Sequence, residues 1–207
     1  MARPLLRSVF GFRVDGAEKV PASGPVLIAA NHSNYLDGVV LGAALERKIT
    51  FLVMPSVYRA TRFHPAFHRR MGSISISLER PDPGAIKRTL QLLEAGEMVG
   101  IFPEGPFSLE GRLVRGQPGV ALIALRAGAP VVPAAIFGTY QSLAGGGFSL
   151  PRPHPLKVRF GDPLYFDRYR REGRVTHSIR EEVTRRIMAE IARLLGEDGG
   201  GPPRGGA

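Results

Sequence analysis

The segment VLIAANHSNYLDG places a histidine, His32, at the end of an apolar run and an acid, Asp37, five residues later, where a helical pattern begins. A turn that short can bring the two side chains together. A carboxylate that accepts a hydrogen bond from one imidazole nitrogen sets the tautomer and leaves the other nitrogen free to take a proton. The chemistry on offer is general-base activation of a hydroxyl, with no protein nucleophile. The same residues admit a plainer reading, in which Asp37 caps the helix through VVLGAALERK and His32 is a hydrogen-bonded residue at a strand end.

A second segment, IFPEGPFSLEGR, runs from a strand-like stretch into Phe102, Pro103, Glu104 and Gly105. A polar turn at such a strand end offers backbone amides and a carboxylate where open α/β sheets place ligands. Taken alone, Glu104 is equally well a turn residue.

Other chemistries lack their residues. Cysteine is absent, which removes disulfides, thiolate metal sites and a cysteine nucleophile. There is no Gly-x-Gly-x-x-Gly, Walker loop, Gly-x-Ser-x-Gly elbow or His-Glu-x-x-His. His64 and His68 have helical spacing, but Pro65 follows the first and no carboxylate lies between them, so they read as surface or lipid-facing histidines rather than a metal pair.

Stepping along the chain, strand-like runs occur at 26–30, 49–54, 73–78, 98–102, 130–137 and 156–160, with helical stretches at 38–47, 84–95 and 118–127. This alternation predicts an α/β sandwich with a buried, mostly parallel or mixed central sheet covered by helices. In SISISL, Ile74, Ile76 and Leu78 face one way and the serines the other. The stretch SIREEVTRRIMAEIARLL has Ser178 and Glu181 spaced as a capping box and an apolar stripe at Ile179, Val183, Ile187 and Ile191. Gly119–Tyr140 is long enough to span a bilayer, but Arg126, Gly128, Pro130 and Pro133 interrupt it, which predicts helix, turn and strand. One domain over 1–195 is expected, followed by a disordered Gly/Pro tail at 196–207.

With 28 Lys and Arg against 18 Asp and Glu, the net charge is +10. Lysine occurs only at 19, 48, 87 and 157, so the cations are overwhelmingly arginine. Such a surface draws nucleic acid, anionic headgroups or an acidic carrier protein alike.

The chain resembles the glycerolipid acyltransferase family, whose members make phosphatidic acid from 1-acylglycerol-3-phosphate and an acyl thioester. The resemblance spans about 26–138 and rests on four stretches in the family's order: NHSNYLD, GSISISLER ending at Arg80, FPEG, and VVPAAI at 131–136. It implies that His32, held by Asp37, is the general base on the acceptor hydroxyl, which attacks the thioester directly. Arg80 and the Phe102-Pro103-Glu104-Gly105 turn would hold the phosphate-bearing acceptor and shape its site. Acyl-CoA or acyl-carrier protein would serve as co-substrate, with no metal or bound cofactor.

Two departures stand out. Pro106 and Phe107 occupy the places where the family usually continues with Thr-Arg, and Gln117-Pro118 replace the basic residues usual before Gly119. Arg112 or Arg115 would have to substitute, or the acceptor is another lysolipid or amphiphilic alcohol. A non-catalytic lipid-binding relative is the further reading.

The opening MARPLLRSVFGF has too short and interrupted an apolar core for a secretory signal, and the segment before the first block lacks room for a pair of membrane-embedded helices. The expectation is a cytoplasmic protein, peripheral on the inner face of the membrane. Two basic, apolar lips are candidates for that contact: Arg3, Arg7 and Arg13 with Leu5, Leu6, Val9, Phe10 and Phe12, and Tyr58, Arg59, Arg62, Phe63, Phe67, Arg69 and Arg70. The stretch Arg152–Arg174 interleaves arginines with Tyr165, Phe166 and Tyr169 as a nucleic-acid binder would, but no nucleic-acid motif accompanies it, and no nucleic-acid partner is expected.

Overall fold

A computed structural model describes residues 2–58, 68–69, 72–77, 82–108, 110–143, 151–171 and 175–196. Its centre is one mixed sheet of seven strands: β1 (Arg13–Asp15), β2 (Val26–Ala30), β3 (Ile49–Val53), β4 (Ile74–Ser75), β5 (Met98–Ile101), β6 (Val131–Phe137) and β7 (Lys157–Phe160). The spatial order is β1-β7-β6-β2-β5-β3-β4. Strands β2 to β6 run parallel, β7 lies antiparallel to β6, and β1 lies parallel to β7.

All five residues of β2 are buried, because it lies between β5 and β6 with helices on both faces. Its side chains alternate between two apolar layers. Leu27 and Ala29 pack with α4 (Pro83–Glu94), α5 (Gly119–Ala127) and α8 (His177–Gly196), while Val26, Ile28 and Ala30 pack with α1 (Ala2–Phe10) and α2 (Leu36–Ala44). The helix that follows β2 therefore covers one face, and the helix that follows β5 covers the other. Where neighbouring parallel strands send their chains to opposite faces, a crevice opens beyond their carboxyl ends. His32 follows β2 and Phe102 follows β5, so both segments singled out in the sequence arrive there.

The expected α/β architecture is present, with local differences. Among the described residues of SISISL, strand is confined to Ile74–Ser75, because Ser73 Oγ pairs with His68 Nδ1 (3.1 Å) and the Ser77 amide donates to Asp82 (3.2 Å); Leu78 lies outside the described residues. The helix expected at 38–47 runs from Leu36 to Ala44. It stops where Leu45 turns extended, so that Arg47 can donate to the carbonyls of Pro21, Gly24 and Gly96 at 2.8, 2.7 and 3.0 Å.

The Ser178–Glu181 capping box does not form as a start signal. The helix begins at His177, and the amide of Ile179 donates to Thr176 Oγ1 (3.3 Å), so Thr176 is the cap. The apolar stripe is as expected: Val183, Ile187 and Ile191 are fully buried against the body, each contributing about 1.5–3 kcal/mol. Gly119–Tyr140 resolves into α5, a left-handed turn at Gly128, β6 and the start of a short helix, α6 (Thr139–Ser142). Among the described residues, no helix is long and apolar enough to cross a membrane.

Helix α1 and strand β1 were not legible in the sequence. They divide the first basic lip: Leu6 and Phe12 belong to the core, whereas Leu5 (62%) and Val9 (44%) are exposed. Of the second lip, Arg69 is exposed, Tyr58 ends a short helix, α3 (Pro55–Tyr58), and the other residues lie outside the described ones, as do His64, Arg80 and residues 197–207. The aromatic residues of the nucleic-acid-like stretch are partly consumed by the core. Phe166 and Tyr169 are buried, the latter on α7 (Asp167–Arg171), and the Tyr169 hydroxyl donates to Glu182 (2.6 Å).

Candidate active site

Asn31, Asn34 and Asp37 in the first segment each have a definite task. The Asn31 side chain accepts from the Ile136 amide (2.7 Å) and donates to the Ile136 carbonyl (3.0 Å), extending the pairing of β2 with β6 by one residue. Asn34 donates to the Thr139 carbonyl (2.8 Å) and accepts from the Leu36 amide (2.9 Å), which turns the chain into α2. Between them, Asp37 sits fully buried in the first turn of α2.

Asp37 Oδ2 accepts from three donors: the amides of Ser33 (2.6 Å) and Asn34 (2.8 Å), and His32 Nδ1 (2.9 Å). Asp37 does not cap the helix: it is the second helical residue, the N-cap is Tyr35, and no side chain caps it. The carboxylate instead accepts from loop amides ahead of the helix and orients the histidine with the same oxygen. An ionised carboxylate only accepts, so Nδ1 carries the proton and Nε2 is the basic nitrogen. Nε2 has no hydrogen-bond partner among the described residues. The His32 side chain is 14% exposed, enough for access from the crevice.

The second segment reaches His32 from the neighbouring strand. Glu104 is buried, with Oε1 accepting from the His32 amide (2.7 Å) and Oε2 from the Val114 amide (2.8 Å). Burial pushes its pKa above 4.5, against the opposing pull of those two amides and of His32. The Ser108 amide donates to the His32 carbonyl (2.9 Å), and the Gln117 amide donates to the Pro103 carbonyl (2.7 Å). Glu104 therefore shapes the site by gripping the histidine backbone.

The strap after Gly105 is held along its length. At Gly111, with φ 66°, a Cβ would lie 2.6 Å from the Tyr140 ring. At Gly116 it would meet Met188 and Thr184 of α8 at 2.7 and 2.9 Å. Only glycine permits these approaches.

Aromatic rings enclose the imidazole. Phe102 stacks on it with centroids 3.9 Å apart and planes 9° from parallel, and Phe107 stands edge-on at 5.8 Å and 89°. Tyr35 meets Phe107 at 5.2 Å. Phe107 and the two asparagines were missed as site residues. The polar run NHSN following an all-apolar strand was the available signal for the latter. Arg112 and Arg115, the candidate replacement cations, are 79% and 89% exposed and lie 3.8 and 3.3 Å from Glu110 and Glu181.

A mixed α/β sheet carrying a carboxylate-oriented histidine at its switch point, with no cysteine anywhere, defines a class of protein built for base-assisted chemistry in a crevice. The Acyltransferase family model matches residues 11–137, and the chain belongs to that family. It is 31% identical over 156 residues to a 1-acyl-sn-glycerol-3-phosphate acyltransferase of Bacillus subtilis, covering 75% of this chain and 74% of that one. The chloroplastic 1-acyl-sn-glycerol-3-phosphate acyltransferase BAT2 of Brassica napus is 28% identical over 158 residues, covering 73% of this chain and 44% of that one. Among solved structures, the 1-acyl-sn-glycerophosphate acyltransferase PlsC of Thermotoga maritima shares the fold, with a TM-score of 0.68 at 20% identity over 89% of this chain and 72% of that one. The protein is an acyltransferase.

Proposed function

We propose that the protein moves a fatty acyl group from an acyl-CoA or acyl-carrier-protein thioester to the hydroxyl of a lysophospholipid, foremost 1-acyl-sn-glycerol-3-phosphate, giving phosphatidic acid. The relatives' activities support the substrate class. The observation that carries the mechanism is the 2.9 Å bond from His32 Nδ1 to Asp37, which leaves Nε2 open to the crevice.

His32 Nε2 takes the proton of the acceptor hydroxyl as its oxygen bonds to the thioester carbonyl carbon. Collapse of the resulting tetrahedral centre breaks the carbon–sulfur bond, and the thiolate recovers the proton from the imidazolium. Asp37 stabilises that imidazolium while it exists. Exposed Leu5 and Val9 beside Arg7 on α1 fit peripheral work at a membrane surface. We place that work on the cytoplasmic face. The net charge of +10 suits both the phosphates of CoA and an acidic carrier.

One observation favours a second reading of the acceptor. Phe107 lies against His32, and Arg112 and Arg115 stand beside acidic residues, so an apolar wall flanks the reacting position. A lysolipid or amphiphilic alcohol lacking a phosphate there would fit it. The test is thiol release by the purified chain from acyl-CoA and carrier thioesters, with 1-acylglycerol-3-phosphate, glycerol-3-phosphate or neutral lysolipids added, alongside His32→Ala. Release that requires one acceptor and disappears in the variant supports the transfer and names the acceptor. Acceptor-independent results throughout, or full activity in His32→Ala, overturn it.

A further inference from the structure

Three near-parallel rings form a column that begins in the core and ends at the histidine. Phe51 of β3 is buried, and its ring lies 5.9 Å from Phe102 with planes 7° apart. Phe102 in turn lies 3.9 Å from His32 at 9°. The base of the column depends on Gly100, the register partner of Phe51 on β5. A Cβ at Gly100 would sit 2.6 Å from one Phe51 ring carbon and 2.7 Å from another, so that absent side chain is what lets the ring lie across the strand.

We propose that Phe102, backed by Phe51, is a positioning residue whose ring face holds the His32 imidazole and stabilises the positive charge it gains on taking the acceptor's proton. The proposal rests on the reading of His32 as the base. Neutral aromatic pairs favour offset or edge-on contact, whereas a cation is attracted to a phenyl face within about 6 Å of its centroid. A face-to-face stack at 3.9 Å is therefore a contact that strengthens as the imidazole becomes imidazolium. An interaction that grows along the reaction lowers the barrier, where one of constant strength would not.

The arrangement also leaves the right atom open. Asp37 occupies Nδ1, Phe102 covers a face, Phe107 stands at right angles, and Nε2 has no partner among the described residues. Because Phe51 is anchored in the core, the platform beneath His32 does not have to be organised during the reaction.

The test replaces Phe102 in the full chain by 4-fluoro-, 3,5-difluoro- and 3,4,5-trifluorophenylalanine, which drain the ring face of negative potential while nearly keeping its shape. The expected result is a stepwise fall in kcat reaching about tenfold at the last member, with KM for donor and acceptor and the thermal midpoint unchanged. Phe102→Leu should lose kcat similarly, and Phe102→Tyr, which keeps the face, should recover most of it. By NMR, the His32 ring protons should show the upfield displacement of a stacked ring in the parent and lose it in Phe102→Leu.

A flat fluorine series with His32→Ala inactive overturns the platform and leaves the base reading standing. Full activity in His32→Ala, or no turnover with any donor and acceptor, overturns both. If Phe102→Leu fails to fold, the fluorinated series still decides the matter, since a ring that only fills space would be indifferent to it.

Discussion

The amide of His32 donates to Glu104 Oε1 over 2.7 Å, joining two segments 72 residues apart in the chain. The same carboxylate accepts from Val114 on the strap beyond it. One buried side chain thus sets the relation between the histidine loop, the turn after β5 and the strap over α8.

Glu104→Gln should be destabilising even though it is nearly isosteric. Its amide nitrogen would face one of the two N–H donors, leaving that donor unpaired at a cost of about 1–3 kcal/mol. Glu104→Ala should cost at least as much and leave both amides without an acceptor. Urea unfolding measures the loss, and unchanged midpoints would show that the two bonds contribute nothing net.

Glu104 also predicts a pH dependence. Burial raises its folded-state pKa above the ordinary 4.5, so the folded protein binds this proton more tightly than the unfolded chain. The group's contribution is therefore fully present below 4.5 and is lost as pH rises through the raised value. Relative to Glu104→Gln, which cannot titrate, the parent should lose stability as pH is raised from about 4.5 toward neutrality. Thermal midpoints of both across that range test the sign. A difference growing the other way would show that the backbone amides outweigh burial.

His32→Ala should lower acyl transfer by about 10²- to 10⁴-fold, the range of a positioned base. Asp37→Asn should leave a trace of activity. Its oxygen, in the place of Oδ2, can still accept from the Ser33 and Asn34 amides and from His32 Nδ1–H, but a neutral amide no longer stabilises the imidazolium that forms when Nε2 takes the proton. Steady-state thiol release, with circular dichroism to confirm folding, separates the two effects.

Gly100→Ala adds one methyl group in contact with both Phe51 and Ile49 Cγ2, the latter at 2.7 Å. Overpacking of this kind costs about 1–3 kcal/mol. Because Phe51 supports Phe102, the substitution should also lower kcat, although Gly100 does not touch the crevice. Gly100→Ala combined with Phe51→Leu should regain part of the stability, which thermal unfolding of the single and double variants would show.

The elements read from the sequence were those whose reasons are local. VLIAA is apolar at every position, and that is how a strand covered on both faces must look. The stripe Val183, Ile187 and Ile191 has helical spacing and is buried. Elements shaped by partners outside them differ from the reading of their own residues. The helix after β2 ends early so that Arg47 can reach carbonyls of the 21–24 loop and of Gly96, and the strand at Ile74–Ser75 is bounded by bonds of Ser73 and Ser77 to His68 and Asp82, five residues to either side.

The sequence by itself determined the inventory: an α/β alternation, a histidine and an acid one short turn apart, a Phe-Pro-Glu-Gly turn after a buried strand, and no cysteine. These follow from local spacing and residue chemistry, which act within a few positions. Tertiary structure alone decided that Glu104 grips the His32 backbone, that Phe102 lies face-on against its ring, and that Phe107 stands beside it. Those contacts depend on β2 and β5 pairing side by side, with Leu27 opposite Val99 and Ala29 opposite Ile101. A shift of one residue in that register would turn every side chain to the other face. The packing of two apolar layers across the sheet holds the register, and that is a property of the whole fold.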